Sequence, residues 1–200
     1  MPWIKTIAYK DAVGKLKNLY EKIKGPNGYI DNVLTIHSLR PQSLSGHMAL
    51  YKNVLHHPKN TLPKWYLETL GVYTSQLNKC SYCVEHHAAG LRRLLNDDDR
   101  FDNICSAIEK DQMVDVFGGR ELAGLNYAKV LTLAHHNISE QDIEALRNSG
   151  FDDGEILEIN QVVSYFNYVN RTVVGLGVDT EGDVLGLSPG EGGEEDWGHQ

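Results

Sequence analysis

Four residues in the middle of the chain have the chemistry and the spacing of a redox site. Glu68 is followed after eleven residues by Cys80, after two more by Cys83 and after three more by His87. A thiolate is the reactive form of cysteine, a nearby imidazole can take its proton, and a second thiol can close a disulfide. A carboxylate can orient the imidazole or pass the proton onward. The pattern predicts thiol redox chemistry.

The spacing brings these groups to one face if a helix starts at the motif. Each helical residue turns the chain by about 100°, so Cys83 and His87 are i,i+4 neighbours and Cys80 lies one turn earlier. The same geometry places His86 to one side, as a reserve base, and directs Tyr82 roughly to the far side. His87 is therefore the expected partner of the thiols, with His86 and Tyr82 as auxiliary residues.

The flanking sequence favours two helices that position these groups. Residues 81–95 carry an apolar stripe at helical spacing. The segment from Leu62, which carries Glu68, has Pro63 near its first turn and helically spaced apolar residues beyond it. A short break before Cys80 then puts the Cys-x-x-Cys at a helix N-terminus. Free backbone N–H groups and the helix dipole stabilise a thiolate there.

We expect the two thiols to have different roles. In a Cys-x-x-Cys that opens a helix, the first sulfur lies nearer the loop, so Cys80 should be more open to an incoming thiol. Cys83 lies beside its i+4 imidazole, and we expect His87 to take its proton, directly or through a water, with Glu68 as orienting group or relay. Attack on a peroxide would give a Cys83 sulfenic acid, with which Cys80 would condense. An external thiol would then reset the pair.

The motif also resembles that of the alkylhydroperoxidase D-like (AhpD-like) proteins of the carboxymuconolactone decarboxylase superfamily, and it looks closest to their single-chain, peroxidase-related branch. Further similarity lies in Leu39-Arg-Pro-Gln-Ser-Leu, in Ser164-Tyr-Phe-Asn-Tyr-Val-Asn-Arg171 and in the following Gly175-Leu-Gly-Val. It covers roughly residues 10–178. The resemblance implies an all-α, compact helical fold and a homo-oligomer.

The resemblance implies roles for the site residues as well. Cys83 is similar to the peroxidatic cysteine of the family and Cys80 to its resolving cysteine, which exchanges with a dithiol such as a lipoyl group or a thioredoxin-like protein. Glu68 and His87 are similar to its proton relay. The best-studied members have a histidine just before the second cysteine, where this chain has Tyr82. A phenol does not titrate near neutral pH, so this difference bears on the rate and on the preferred oxidant.

Other functions fit the same four residues. The thiol pair could exchange disulfides with proteins or small dithiols without reducing a peroxide. Cys80, Cys83, His87 and Glu68 could instead supply four ligands to a structural zinc ion, or the thiols could be a buried structural feature of a helical binding protein. The redox interpretation is favoured, and it needs no bound cofactor beyond an external dithiol reductant.

Residues outside the motif carry weaker signals. Cys105 has no nearby His or second Cys and is expected to be a small core residue. His37 and His47 could line a pocket, although a satisfied polar role is favoured. Tyr165 belongs to a polar and aromatic group in the last helix that would be core, a pocket wall or a subunit interface. No chemistry is assigned to the histidines near helix ends, which are His56, His57, His135 and His136.

The chain of 200 residues, 41% of them hydrophobic, suits one compact helical domain. Its net charge of −8 arises at the end, because residues 178–200 hold seven Asp or Glu and no Lys or Arg. We therefore expect an AhpD-like domain over residues 1–178 and a loosely ordered, acidic and Gly-rich tail over residues 179–200. The remaining periodic segments predict helices over residues 12–23, 43–56, 99–108, 121–135, 139–147 and 152–171.

Composition also limits the partners. No apolar run approaches the roughly 20 residues of a membrane helix, the first residues do not resemble a signal peptide, and no basic face suits a nucleic acid. A Cys-x-x-Cys that must cycle belongs where reductants are present. We expect a cytoplasmic homo-oligomer whose partners are a small-molecule peroxide and a dithiol reductant.

Overall fold

A computed structural model describes residues 2–25 and 28–186 of the chain. Within those residues the regular structure is helical, with no strand. This confirms the all-α prediction. The helices are α1 (Gly14–Ile23), α2 (Asn32–Thr35), α3 (Pro41–Tyr51), α4 (Lys64–Leu77), α5 (Ser81–Leu95), α6 (Asp98–Lys110), α7 (Gly119–Leu133), α8 (Glu140–Asn148) and α9 (Asp153–Leu176).

Local caps explain where several helices begin. Ser139 and Asp142 form a capping box at the start of α8, and Asp152 and Glu155 form another at the start of α9. Both starts are close to those predicted from the sequence. Helix α9 continues beyond the predicted end at residue 171, because apolar residues of its last turns remain buried, and it ends where Gly177 takes a φ of 64°.

Helix α4 is the centre of the core. Its residues 66–75 are all buried, and it packs against α5, α7 and α9. At the crossing with α9, Gly71 faces the ring of Phe166, and a Cβ atom at this position would lie 2.2 Å from Phe166 Cε2. The absence of a side chain at Gly71 therefore lets the two backbones approach. This close packing fixes the helix that carries Glu68 against the helix that carries Phe166.

A π-helical segment over residues 52–56 continues α3 without a break. Extra residues within a helix change the direction of the side chains that follow, and such turns are frequent at functional sites. Here the turn ends at His56, just before the chain leaves the helix at His57. The predicted helix over residues 43–56 is thus present, with an irregular last turn.

Residues 179–186, assigned from composition to a solvated tail, pack against the domain. The side chain of Asp183 is only 1% exposed, and the Val184 amide donates to the hydroxyl of Tyr29 at 3.0 Å. Composition was misleading here because one buried carboxylate with several donors can hold a polar segment in place. Residues 187–200 of the predicted tail lie outside the described residues.

No helix in the described part of the chain combines the length and the apolar character needed to cross a membrane.

Candidate active site at the start of helix α5

The turn between α4 and α5 delivers both thiols to the start of a helix. Lys79 takes a left-handed φ of 57°, the chain reverses, and Cys80 becomes the N-cap of α5 with Cys83 in its first turn. The two Sγ atoms lie 2.8 Å apart, and both cysteines are free. The predicted Cys-x-x-Cys thus opens a helix, with its first thiol one residue before the helix proper.

Both thiols are buried, which differs from the expected exposure of Cys80. Cys80 is 1% exposed and Cys83 is 3% exposed. Lys79, directly before Cys80, is exposed, but α9 packs against the rest of this turn: the side-chain amide of Asn78 donates to the side-chain oxygens of Asn167 and Asn170. The expectation that Cys80 is the more accessible thiol was therefore wrong.

The thiol pair shares its protons unequally. A hydrogen bond from the Cys83 thiol lowers the pKa of Cys80, against the effect of burial, and the Cys83 backbone N–H and the Asn170 side chain add to the lowering. The same contact, together with burial, raises the pKa of Cys83 well above its ordinary value. Of the two thiols, Cys80 therefore loses its proton first. When the pair carries one negative charge, that charge is favoured at the N-cap sulfur rather than at Cys83.

A histidine and a carboxylate from two helices form the predicted pair beside the thiols. His87 Nδ1 lies 2.8 Å from Glu68 Oε2, and the Glu68 side chain is buried. The ring of His87 stands edge-on to Phe166 at 4.6 Å between centroids, which fixes its plane. Because a carboxylate only accepts hydrogen bonds, Nδ1 carries the hydrogen and Nε2 is left to take a proton.

A cavity of about 270 Å³ opens onto this site. Of the two thiols, only Cys83 lines it, together with Glu68 and His87. Its walls combine apolar, aromatic and ionisable side chains, among them Leu34, Met48, Leu55, Tyr51, Tyr165, Asp31 and Lys64. A substrate that enters this cavity meets Cys83, whereas Cys80 lies behind it.

A second histidine–carboxylate pair is formed by the neighbouring residue of α5. His86 Nε2 is 3.1 Å from Asp183 Oδ2, and the hydroxyl of Tyr82 donates to the same oxygen at 2.6 Å. The rings of Tyr82 and His86 stack at 4.5 Å. Tyr82 therefore faces the cavity, and the expectation that it points to the far side of the helix was wrong. Its direction is set by the hydrogen bond to Asp183, a residue far away along the chain.

Several cavity residues could not be identified from the sequence. Burial lowers the pKa of His47 to about 3 and that of His56 to about 4, so both line the cavity as neutral rings. The ring of His37 lies 4.9 Å from that of His47 in a tilted arrangement, and His37 does not line the cavity. The sequence assigned no chemistry to His56 and did not predict its position in the cavity wall, because the π-helical turn that places it there was not predicted. Tyr165 also lines the cavity, so the pocket-wall interpretation of α9 holds for this residue.

The remaining cysteine stands apart from this site. Cys105 is half-buried rather than fully within the core, and burial raises its pKa to about 11. A thiol of this kind is a poor nucleophile at neutral pH. Among the described residues, no group of three or more His, Cys, Asp or Glu is arranged to hold a metal ion.

Comparison with known proteins identifies the fold. No family model and no curated protein matches the sequence. The structure matches the alkylhydroperoxidase AhpD core of an uncharacterized peroxidase-related protein from Ralstonia eutropha, with a TM-score of 0.77 and 24% identity over 89% of this chain and 91% of that one. An uncharacterized peroxidase-related protein from Silicibacter gives a TM-score of 0.76 and 26% identity over 88% and 90% of the two chains.

The same fold also occurs in a debrominase. The debrominase Bmp8 in its apo form matches with a TM-score of 0.68 and 16% identity over 87% of this chain and 89% of that one. A cysteine-to-alanine variant of that debrominase, in complex with 2,3,4-tribromopyrrole, gives a TM-score of 0.70 at 15% identity. The resemblance drawn from the Glu68, Cys80, Cys83 and His87 pattern is confirmed by the structural matches: this chain has the AhpD-like fold of the peroxidase-related proteins.

Proposed function

We propose that this protein is a thiol-dependent peroxidase that reduces organic hydroperoxides with the Cys80–Cys83 pair. One observation carries the proposal. Cys83 lines an enclosed cavity beside the His87–Glu68 pair, and a second thiol lies 2.8 Å behind it. A nucleophile, a base and a resolving thiol thus meet at one point that a small molecule can reach.

The reaction begins with a proton shift within the thiol pair. A negative charge on the pair is favoured at Cys80, and the contact between the two sulfurs lets the Cys83 proton pass to Cys80. His87 is the alternative acceptor of that proton. The Cys83 thiolate then attacks the outer peroxide oxygen, the O–O bond breaks, and the alcohol leaves with a proton. The resulting Cys83 sulfenic acid condenses with Cys80 to give a disulfide and water.

The size of the cavity favours an organic substrate. A volume of about 270 Å³ is far more than hydrogen peroxide fills, and apolar side chains such as Leu34, Met48 and Leu55 form part of its wall. Burying an apolar substrate body against such a wall contributes about 25 cal/mol per Å² of buried area. Hydrogen peroxide would enter but would gain none of this binding free energy.

The reductant would then attack Cys83 rather than Cys80. Only Cys83 of the two faces the cavity, and attack at its sulfur expels the thiolate of Cys80. A thiol with a lowered pKa leaves faster, and the pKa of Cys80 is the lowered one. A slender dithiol such as a lipoyl arm fits this route better than the surface of a folded thioredoxin-like protein. Burial of both thiols likewise disfavours general disulfide exchange with proteins.

The test uses reduced, metal-free protein and one equivalent of cumene hydroperoxide under anaerobic conditions. Wild type should lose two hydrogens in mass as the disulfide forms. Cys80→Ser should accumulate a trappable sulfenic acid, Cys83→Ser should not react, and Cys105→Ser is the matched control that should behave as wild type. The proposal is wrong if wild type consumes no hydroperoxide, or if Cys83→Ser consumes it at the wild-type rate.

A second candidate function is thiol-dependent reductive dehalogenation. Two observations favour it: the debrominase shares this fold, and the cavity above Cys83 is partly aromatic and large enough for a small halogenated ring. Cys83 would take the halogen from carbon, the ring carbon would gain a proton, and Cys80 would displace halide to form the same disulfide. Release of bromide from 2,3,4-tribromopyrrole by the reduced protein, measured by ion chromatography, separates this candidate from the peroxidase.

A further inference from the structure

One carboxyl group on the cavity wall has no part in the chemistry described so far. Asp31 is buried and lines the same cavity as Cys83. Its Oδ1 atom is fully enclosed and has no hydrogen-bond partner among the described residues. An unpartnered buried carboxyl oxygen is costly, and the cost is greatest for the ionised group, so this environment favours the protonated form of Asp31.

A neighbouring carboxyl, Asp183, is satisfied as an anion. It accepts hydrogen bonds from the Tyr82 hydroxyl at 2.6 Å, from His86 Nε2 at 3.1 Å and from the Asn32 backbone N–H at 3.2 Å. Burial alone would raise the pKa of Asp183, but these donors outweigh it and hold the pKa below its ordinary value. Asp183 therefore carries the negative charge of this cluster.

Asp31 has the opposite environment. Burial raises its pKa to about 6, and the charge of Asp183 adds to this effect. His86 and His87 from α5 and the hydroxyl of Tyr29 act in the lowering direction without cancelling it. When two carboxyls share a site and one is held ionised, the other takes the proton. Of the two carboxyls, Asp31, which lines the cavity, therefore keeps its proton to the higher pH.

We propose that Asp31 is the general acid that protonates the leaving oxygen when Cys83 attacks a hydroperoxide, an inference that rests on the peroxidase function proposed above. The Cys83 sulfur bonds to the outer oxygen, the O–O bond breaks, and the departing RO⁻ takes the proton of Asp31 and leaves as ROH. Asp31 becomes a carboxylate and recovers a proton from water in the cavity. His87 serves the earlier step, in which the thiol loses its proton, so the two groups divide acid and base roles.

The experiment compares two oxidants that differ in their need for a proton. The alkoxide from tert-butyl hydroperoxide is a strong base and leaves poorly without one. Acetate from peracetic acid is a weak base and leaves unaided. Single-turnover rates of disulfide formation are measured for wild type, for Asp31→Asn and for the control Asp115→Asn, which changes an exposed carboxyl that does not line the cavity. Cys83→Ser gives the background for each oxidant.

In Asp31→Asn we expect the rate with tert-butyl hydroperoxide to fall on the order of 100-fold and that with peracetic acid to fall less than about 3-fold. The ratio of the two rates is measured within one variant, so incomplete folding of that variant does not change it. In Asp115→Asn the ratio should stay at the wild-type value. A ratio in Asp31→Asn within about 3-fold of wild type overturns the assignment of Asp31 while leaving the peroxidase function intact. If wild type reacts with neither oxidant, the proposed function itself fails, and the role of Asp31 fails with it.

Discussion

Adjacent histidines of α5 form two pairs with carboxylates, and the pairs differ in their origin. His87 pairs with Glu68 of α4 at 2.8 Å, and His86 pairs with Asp183 of the C-terminal segment at 3.1 Å. The first pair joins two helices that pack along their length, whereas the second joins α5 to a short segment without regular structure. Both pairs lie beside the cavity that Cys83 lines.

The difference shows how one helix can serve two purposes at neighbouring positions. Successive helical residues point about 100° apart, so His86 and His87 reach different neighbours. The His87 pair is held by core helices and leaves a ring nitrogen for the thiols, which suits proton transfer. The His86 pair shares its carboxylate with Tyr82 and fastens residues 179–186 across the start of α5. We interpret the first pair as chemical and the second as positional.

The largest expected effect is a difference in the rate of Cys83 oxidation between variants of the two histidines. His87→Asn should slow oxidation of Cys83 on the order of 100-fold, because it removes the base beside the thiols. His86→Asn should slow it by about 10-fold at most and should instead cost about 1.5–3 kcal/mol of unfolding free energy, since it removes a hydrogen bond to a buried carboxylate. Stopped-flow oxidation and urea denaturation of both variants give the two measurements. Equal rate losses in the two variants would contradict the division of roles.

The next effect tests the raised pKa of Asp31 through its contribution to stability. Burial raises the pKa of Asp31 to about 6, above the value near 4 of an unfolded chain. Its contribution to stability is therefore fully present below pH of about 4 and is lost as the pH rises through about 6. Relative to Asp31→Asn, wild type should lose about 2–3 kcal/mol of unfolding free energy between pH 4 and pH 8.

Urea denaturation of wild type, Asp31→Asn and the exposed control Asp115→Asn at several pH values provides the measurement. The groups that face Asp31, which are Asp183, His86, His87 and Tyr29, all remain in its variant. Stability curves for wild type and Asp31→Asn that stay parallel from pH 4 to pH 8 would exclude the raised pKa. The Asp115→Asn curve should stay parallel to that of wild type.

The smallest effect concerns the segment that supplies Asp183. Gly186 has a φ of 73°, and a Cβ atom there would lie 2.8 Å from Ala89 Cβ on α5. Gly186→Ala should cost about 1–2 kcal/mol and raise amide hydrogen exchange in residues 179–186. Gly46→Ala is the control, because Gly46 is an exposed residue of helix α3 with open space around it, and this variant should gain about 0.5–1 kcal/mol. Unchanged exchange in Gly186→Ala would argue against a fixed contact.

The sequence was most informative where function depends on local spacing. The helix from Ser81 to Leu95, the helix that carries Glu68 and the capping boxes at Ser139 and Asp152 all follow from residues within a few positions of each other. Helical periodicity and caps are short-range properties, so one sequence suffices to predict them. The same holds for the i,i+4 relation of Cys83 and His87.

Prediction failed where a contact joins distant parts of the chain. The direction of Tyr82 depends on Asp183, which lies 101 positions further along, and the burial of Cys80 depends on α9. The protonation of the thiol pair could not be read from the motif either, because it depends on a contact between sulfurs and on the Asn170 side chain. Asp31 has no motif around it and acquires its raised pKa from burial and from the charge of Asp183.

The sequence by itself determined the helical class, the thiol, imidazole and carboxyl residues of the candidate site and the helix start that presents the thiols, because these depend on composition and near neighbours. Only the tertiary structure decided which thiol faces the cavity, where the resting charge lies and which carboxyl holds a proton. Those properties depend on desolvation and on charges brought within a few ångströms by packing. Such distances are set by the whole fold and not by separation along the chain.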